Sequence, residues 1–252
     1  MTDPTRVRLG RRPPRFDKRT LRLERYLATA ARRPPARVDW TPKVSLLGPM
    51  LNTSLGCCTV SAKGHLIQTW TANHDRQIIV SDSAILAGYT EACGYVPGDP
   101  TTDQGGTMLD VLNWFRKTGL AGHKPFAYVA VNHQNRENVK FAINLFGGCD
   151  VGIMLPVSAQ GQEVWAVPEG GAVGDGAPGS WGGHDVPIVG YGLMGPTCIT
   201  WGKLVTMTWG FFKTYVEEAY AILAPEWADV DEPAPNGFEL EQLKADLVTI
   251  TG

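Results

Sequence analysis

The sequence predicts an α+β fold in two halves, and three observations predict it. Helix-like stretches with an apolar side dominate the region after the first fifty residues, while short apolar runs bounded by turn residues dominate the later part. Helices first and strands later is the order of an α+β chain, not of alternating βαβ units. At 252 residues, 43% hydrophobic and 19% charged, the chain can bury one large core or two modest ones.

Each element follows from local signals. Residues 1–33 form a basic arm closed off by Pro34 and Pro35, and "RVDWTPKVSLLGPM" (37–50) reads as extended chain. A helix is predicted from Cys58 to about Asp75, with Val60, Ala62, Leu66, Ile67 and Trp70 on one apolar side and Gly56 at its entrance. Two more follow at 83–92 and 108–117. The texture then changes: "FAYVAV" (126–131) is a strand, 135–146 a helix, and "CDVGIMLP" (149–156) a buried strand. Residues 170–183 hold seven glycines and form a loop. "HDVPIVGYG", "TCITWG" and "LVTMTW" supply three strands, followed by a short helix at 212–217 and the strand "AYAIL". The tail is Pro-rich from 225 to 235 and ends in an amphipathic helix, "FELEQLKADLVTI". The expected organisation is an arm (1–33), one domain (34–224) and an acidic tail (225–252).

The net charge of −2 hides an asymmetry. Residues 1–40 carry 12 Lys and Arg against four acids, whereas from Glu217 onward there are nine acids and a single Lys244. A charge run of this kind is usually solvated. As an electrostatic anchor it would contact nucleic acid, an acidic protein surface or the protein's own acidic body. Base-specific readout is not expected, because no aromatic residues interleave the basic ones. Five irregularly spaced cysteines indicate free thiols rather than a disulfide framework or a zinc site. With no apolar run long enough to span a bilayer and no apolar secretion core near the start, the expectation is a soluble cytoplasmic protein without membrane contact, a virion being the other setting. Neither metal nor cofactor is expected: "GDGAPG" (174–179) fits a dinucleotide glycine pattern by letter, but a strand follows it instead of a helix.

Chemistry concentrates at "LGCCTV". A cysteine in the first turn of a helix sits where unpaired N–H groups and the macrodipole favour an anion, so Cys58 is expected to have a lowered thiol pKa and thiolate available near neutrality. A nucleophilic cysteine also needs a histidine. His65 lies two turns along the same helix, too far for contact, and His74, His123 and His133 occupy polar stretches. His184 opens an apolar strand directly after the glycine loop, where a ring can be held firmly while its approach stays open. Cys57, Cys93, Cys149 and Cys198 read as small core residues, and the eight tryptophans as core and cleft wall.

At this pair the sequence resembles the papain-like cysteine peptidases. "PARVDWTPKV" resembles the start of the family's domain and "LGCCTVSA" its nucleophile motif. "DQGGTMLDVLNWFRKTGL" resembles the cleft segment with its helix, "GGHDVPIVGYG" the histidine strand, and "TWG" (200–202) the end of the Asn-Ser-Trp-Gly motif. The likeness runs in order from Pro35 to Leu223 and is strongest with papain-fold proteins of bacterial and phage genomes. It implies a two-lobed fold, with a helical lobe around a central Cys-bearing helix followed by an antiparallel β lobe. It also implies a nucleophile at Cys58, a general base at His184, an oxyanion donor at Asn52, and a substrate cleft at Gly105, Gly106, Trp181 and Gly183. The 126 residues between Cys58 and His184 are close to the family's usual separation.

One position departs. The Asn that orients the imidazole would fall at Ile199, or at Met207 in a shifted alignment, and neither accepts a hydrogen bond; Thr200 and Thr208 lie off the matching position. Two function classes follow. One is a cysteine peptidase hydrolysing a peptide or isopeptide bond through an acyl-thioester. The other is a catalytically impaired papain-fold binding or assembly protein, oligomeric or part of a phage particle. A third role concerns the arm alone: an inhibitory prosegment cut near Pro34.

Overall fold

The computed structural model describes residues 7–27, 33–227 and 238–251. The first residues of the arm and most of the Pro-rich stretch of the tail lie outside these ranges.

Helix α1 (Cys58–His74) is the centre of the molecule. Its apolar residues do not mark a single stripe. Fifteen of its 17 residues are buried, including Thr59, Ser61, Lys63, His65, Gln68, Thr69 and Thr71. A helix covered on all sides must satisfy its polar groups internally. Thr69 donates to the His65 carbonyl, Thr71 to that of Ile67, and Ser61 to that of Met50. Helices α2 (Asp82–Cys93) and α3 (Met108–Lys117) pack beside it. Thr107 caps α3 by accepting from the Asp110 N–H, and Gly94, at φ 76°, ends α2 in the left-handed region. With Met50, Val60, Leu66, Trp70, Ile85, Tyr89, Val111 and Phe115 these helices form one apolar cluster.

The second cluster surrounds the sheet. Strand β1 is Val38–Asp39, β2 Ala127–Ala130, β3 Cys149–Leu155, β4 Val164–Trp165, β5 Gly182–Tyr191, β6 Pro196–Thr200, β7 Lys203–Met207 and β8 Val216–Leu223. Their order is β2-β8-β3-β5-β6-β7-β4, with β1 paired to β5. All pairs are antiparallel except β4 with β7, so the β lobe has one parallel exception at its edge. Helix α4 (Arg136–Phe146) covers the sheet, and α5 (Trp209–Tyr215) leads into β8.

The described parts of both ends pack into this second cluster. Leu21, Leu23 and Tyr26 of the arm, with Phe238 and Leu243 at helix α6 (Leu240–Thr251), belong to it. Tyr26 donates a hydrogen bond to Asp246 at 2.7 Å, joining arm to tail. The molecule is thus two apolar lobes meeting along α1 and β5, with the start of each element opening onto the boundary between them. Among the described residues no helix is long and apolar enough to cross a membrane.

Candidate active site

Cys58 is the first residue of α1, and all five cysteines are unpaired. The adjacent thiols face different surroundings. Cys57 lies 3.3 Å from Ser61 Oγ and 3.6 Å from the Met50 carbonyl, away from the lobe boundary, and burial pushes its pKa up to about 12. Cys58 receives backbone N–H groups from Asp185, the residue after His184, and from Gly10 of the arm.

His184 sits in β5, paired with Ile153 of β3. Its Nε2 hydrogen-bonds Thr200 Oγ1 at 2.7 Å. Its ring stacks on Trp201, with centroids 4.7 Å apart and planes 17° from parallel. Both contacts come from the β6–β7 hairpin. Thr200 pairs with Lys203 across a two-residue turn whose central residues, Trp201 at φ 49° and Gly202 at φ 78°, both take positive φ. That backbone fits the right-handed twist of the flanking strands, and the tight turn holds the indole over the imidazole. His184 Nδ1 is buried with no hydrogen-bond partner among the described residues, so it is the nitrogen left to exchange a proton with a thiol.

Thr200 corrects the sequence reading. Ile199 is 1% exposed and fills the core, while its neighbour meets the histidine. Along a strand successive side chains alternate faces, so a slip of one letter in the alignment exchanges a core residue for a site residue. Thr208 has other work: it caps α5 by accepting from the Phe211 N–H.

The arm lies between the two glycine segments. Gly106 donates its N–H to the Gly10 carbonyl at 2.8 Å, and its own carbonyl accepts from the Arg12 N–H at 2.9 Å. Arg11 N–H donates to the Gly183 carbonyl at 3.0 Å. Close backbone approach requires glycine here: a Cβ at Gly105, already at φ 70°, would fall 1.9 Å from the Gly10 carbonyl oxygen, and one at Gly183 would fall 2.2 Å from that of Arg11. The glycine loop is tied to the nucleophile's entrance through Asp103, which accepts from Gly56 N–H and Tyr89 OH, while Tyr89 OH accepts from Gly105 N–H. Trp181 stands beside Trp201, with centroids 5.6 Å apart; both line a cavity of about 380 Å³ that Val7 also borders. Asn52 is buried, and its amide donates to the Leu55 carbonyl at 3.3 Å, leaving one amide N–H uncommitted in that bond.

The arm changes the electrostatics expected at the helix mouth. His184 is not open to approach; it is fully buried. Burial drives its pKa down to about 3, with the Arg11 charge adding to the effect. Burial likewise pushes the Cys58 thiol up, and the Asp185 carboxyl reinforces this. Desolvation thus opposes the lowering expected from the helix terminus, and it outweighs it.

Three of the arm's basic residues contact the body. Arg11 reaches Glu218 at 2.7 Å and Glu217 at 2.6 Å, Arg15 meets Asp110 at 2.8 Å, and Arg12 donates to the Gln104 carbonyl. Of the partners expected for the arm, the protein's own acidic surface is the one engaged here. Below the site lies a group the sequence reading passed over: Lys63 of α1 contacts both Asp150 of β3 and Asp185 of β5, all three side chains fully buried. Two of the other four histidines are committed elsewhere, His65 Nδ1 to Gln68 Oε1 at 3.1 Å and His123 Nδ1 to Glu226 at 2.5 Å.

No family model matches the sequence, and no curated protein matches it. Solved structures do. Xylellain, a cysteine protease from Xylella fastidiosa, superposes with a TM-score of 0.67 at 17% identity, over 86% of this chain and 96% of that one. Digestive procathepsin L 3 from Tenebrio molitor larval midgut gives 0.58 at 14% identity, over 87% and 77%. The procathepsin B S9 of Trypanosoma congolense gives 0.56 at 13%, over 88% of each. Similarity at this identity speaks for the fold: the chain has the two-lobed papain-like fold.

Proposed function

We propose that the protein is a papain-like cysteine peptidase held latent by its own N-terminal arm. The observation that carries the reading is the built histidine: Nε2 fixed by Thr200, ring capped by Trp201, Nδ1 left without a partner, at the same lobe boundary as a cysteine that begins a helix.

In the working state, Cys58 gives its proton to His184 Nδ1 and the thiolate attacks the substrate carbonyl. The Cys58 N–H and the Asn52 amide stabilise the oxyanion. The imidazolium, its Nε2–H donated to Thr200, returns the proton to the leaving amine, and the C–N bond breaks to leave a thioester. Water then gives a proton to His184 and attacks the thioester, releasing the acid and restoring the thiol.

The alternative of a non-catalytic assembly component draws on a missing imidazole partner, an oxyanion side chain at Asn52 shorter than the family's Gln, the basic arm and the acidic tail. Thr200 weakens the first of these motives and the Glu217–Glu218 pair the third. A thiol-directed epoxide, followed by peptide mass spectrometry, tests the proposal. Cys58 should be modified selectively in the full chain carrying Arg11→Ala, and no longer in the same chain with His184→Ala. Equal modification of all five thiols would refute it.

A further inference from the structure

We infer that the pocket holding Arg11 is a substrate subsite that selects an arginine side chain. This rests on the peptidase reading and adds to it the class of peptide recognised.

The arm's backbone bonds Gly106 and Gly183 and crosses the Cys58 thiol, so it lies along the groove any extended peptide must use to bring a carbonyl to that sulfur. Arg11 is the residue centred between those two glycines. Its side chain turns off the groove into the β lobe and is wholly buried there, unusual for an arginine unless the site is built for it. Glu218 closes the deep end with 7% of its side chain exposed, and Glu217 guards the mouth with 41%. The two carboxylates take different nitrogens of the guanidinium, Nη1 to Glu218 and Nη2 to Glu217, so both terminal nitrogens are paired while Nε is buried without a hydrogen-bond partner among the described residues. Tyr220 OH donates to the other Glu218 oxygen at 3.1 Å, holding the carboxylate in place.

The stem is fitted as closely. A Cβ on Gly152 would fall 2.8 Å from each of Arg11 Cδ, Glu218 Cγ and Met108 Sδ, so the absent side chain at Gly152 is the room the arginine occupies. When the arm leaves, Glu218 loses its cation and faces the emptied pocket. A leucine there would bury the carboxylate again without a counter-charge, whereas an arginine restores both ion pairs.

The test uses the full chain carrying Arg11→Ala and two readouts. Acetylated peptides spanning residues 7–14, with arginine or leucine at position 11, are titrated by calorimetry against Arg11→Ala/Cys58→Ala. The arginine peptide should bind at least thirtyfold tighter, and adding Glu218→Gln should erase most of that difference. A mixed peptide library is then digested with Arg11→Ala, and arginine should be enriched at one fixed position relative to the cut. Equal binding of the two peptides, or no binding, overturns the pocket, as does cleavage without arginine enrichment. Preferential binding with no cleavage of any peptide supports the pocket and refutes the peptidase reading.

Discussion

Thr200 Oγ1 lies 2.7 Å from His184 Nε2, in the place where a papain-like site is expected to carry an asparagine. A hydroxyl can accept from Nε2–H, so in the proposed mechanism it would stabilise the imidazolium formed when Cys58 loses its proton. It has no second acceptor to lock the ring, and Trp201 supplies that restraint by stacking. Thr200→Val, nearly isosteric, should lower kcat by about 10- to 100-fold with KM little changed, because the lost contact acts on the charged transition state. Thr200→Ser should recover most of the rate. An unchanged kcat in Thr200→Val would show that the hydroxyl has no part in orienting the ring.

Arg11 is the fastening of the arm. Its removal strips two ion pairs, one of them deeply buried, from the stretch of arm whose Gly10 lies against Cys58. Arg11→Ala should therefore raise the rate of Cys58 alkylation by iodoacetamide about 10- to 100-fold at pH 7.5, the range expected for losing one buried charged contact. The other four thiols should react at unchanged rates. Arg19→Ala, whose partner Asp17 lies in the arm itself, is the control and should leave Cys58 protected. Equal protection in Arg11→Ala would place the fastening elsewhere.

How much of this was legible in the sequence depends on how local each signal was. Helix α3 matches its predicted span because an N-cap threonine and an amphipathic pattern both act within it. Helix α1 was legible in extent but not in burial, since nothing local says that a helix rich in Thr, Ser and Lys will be wrapped by a second lobe. Strands of two residues, β1 and β4, leave no periodicity to read. Cys58, His184 and the glycines came from ordered motifs. Thr200 was passed over because register around a tight turn is a three-dimensional property, and the letter at the matching position, Ile199, belongs to the core. Arg11 could not stand out among a dozen basic residues: its partners are 206 and 207 positions away.

Acid should loosen the closed state. Burial holds the pKa of His184 at about 3 and of His65 at about 4, both below the roughly 6.5 of an unfolded histidine. The unfolded or opened chain therefore binds more protons across this interval, and stability present above pH 6.5 is lost as pH falls toward these values. Raising Arg11 from the cleft returns water to His184 and removes a neighbouring positive charge, so opening is favoured in the same direction. Hydrogen-exchange protection factors for Gly106 and Arg12, whose N–H groups bond across the arm, should drop at least tenfold between pH 7 and pH 4.5. His184→Asn should flatten part of that dependence. Protection that is constant with pH would separate the arm from the histidine.

The buried cluster beneath the site sets the last expectation. Lys63 is the one cation paired with Asp150 and Asp185 among the described residues, and all three side chains are sealed from water. Burial and the neighbouring Asp150 push Asp185 well above the ordinary carboxyl range, and Lys63 opposes them. Lys63→Met keeps the length of the stem but leaves a carboxylate with no counter-charge. Breaking a buried pair from one side costs about 3–5 kcal/mol, which for a chain of this size lowers Tm by roughly 6–20 °C. The loss should shrink on acidification, because protonating that carboxylate removes the stranded charge. Lys63→Met with Asp150→Asn and Asp185→Asn, which deletes every charge at once, should recover much of the stability, as measured by urea denaturation at pH 5 and 8. A Lys63→Met chain that unfolds at the same urea concentration as the native one would mean that the triad contributes no net stability and that α1 is held to the sheet by apolar packing alone.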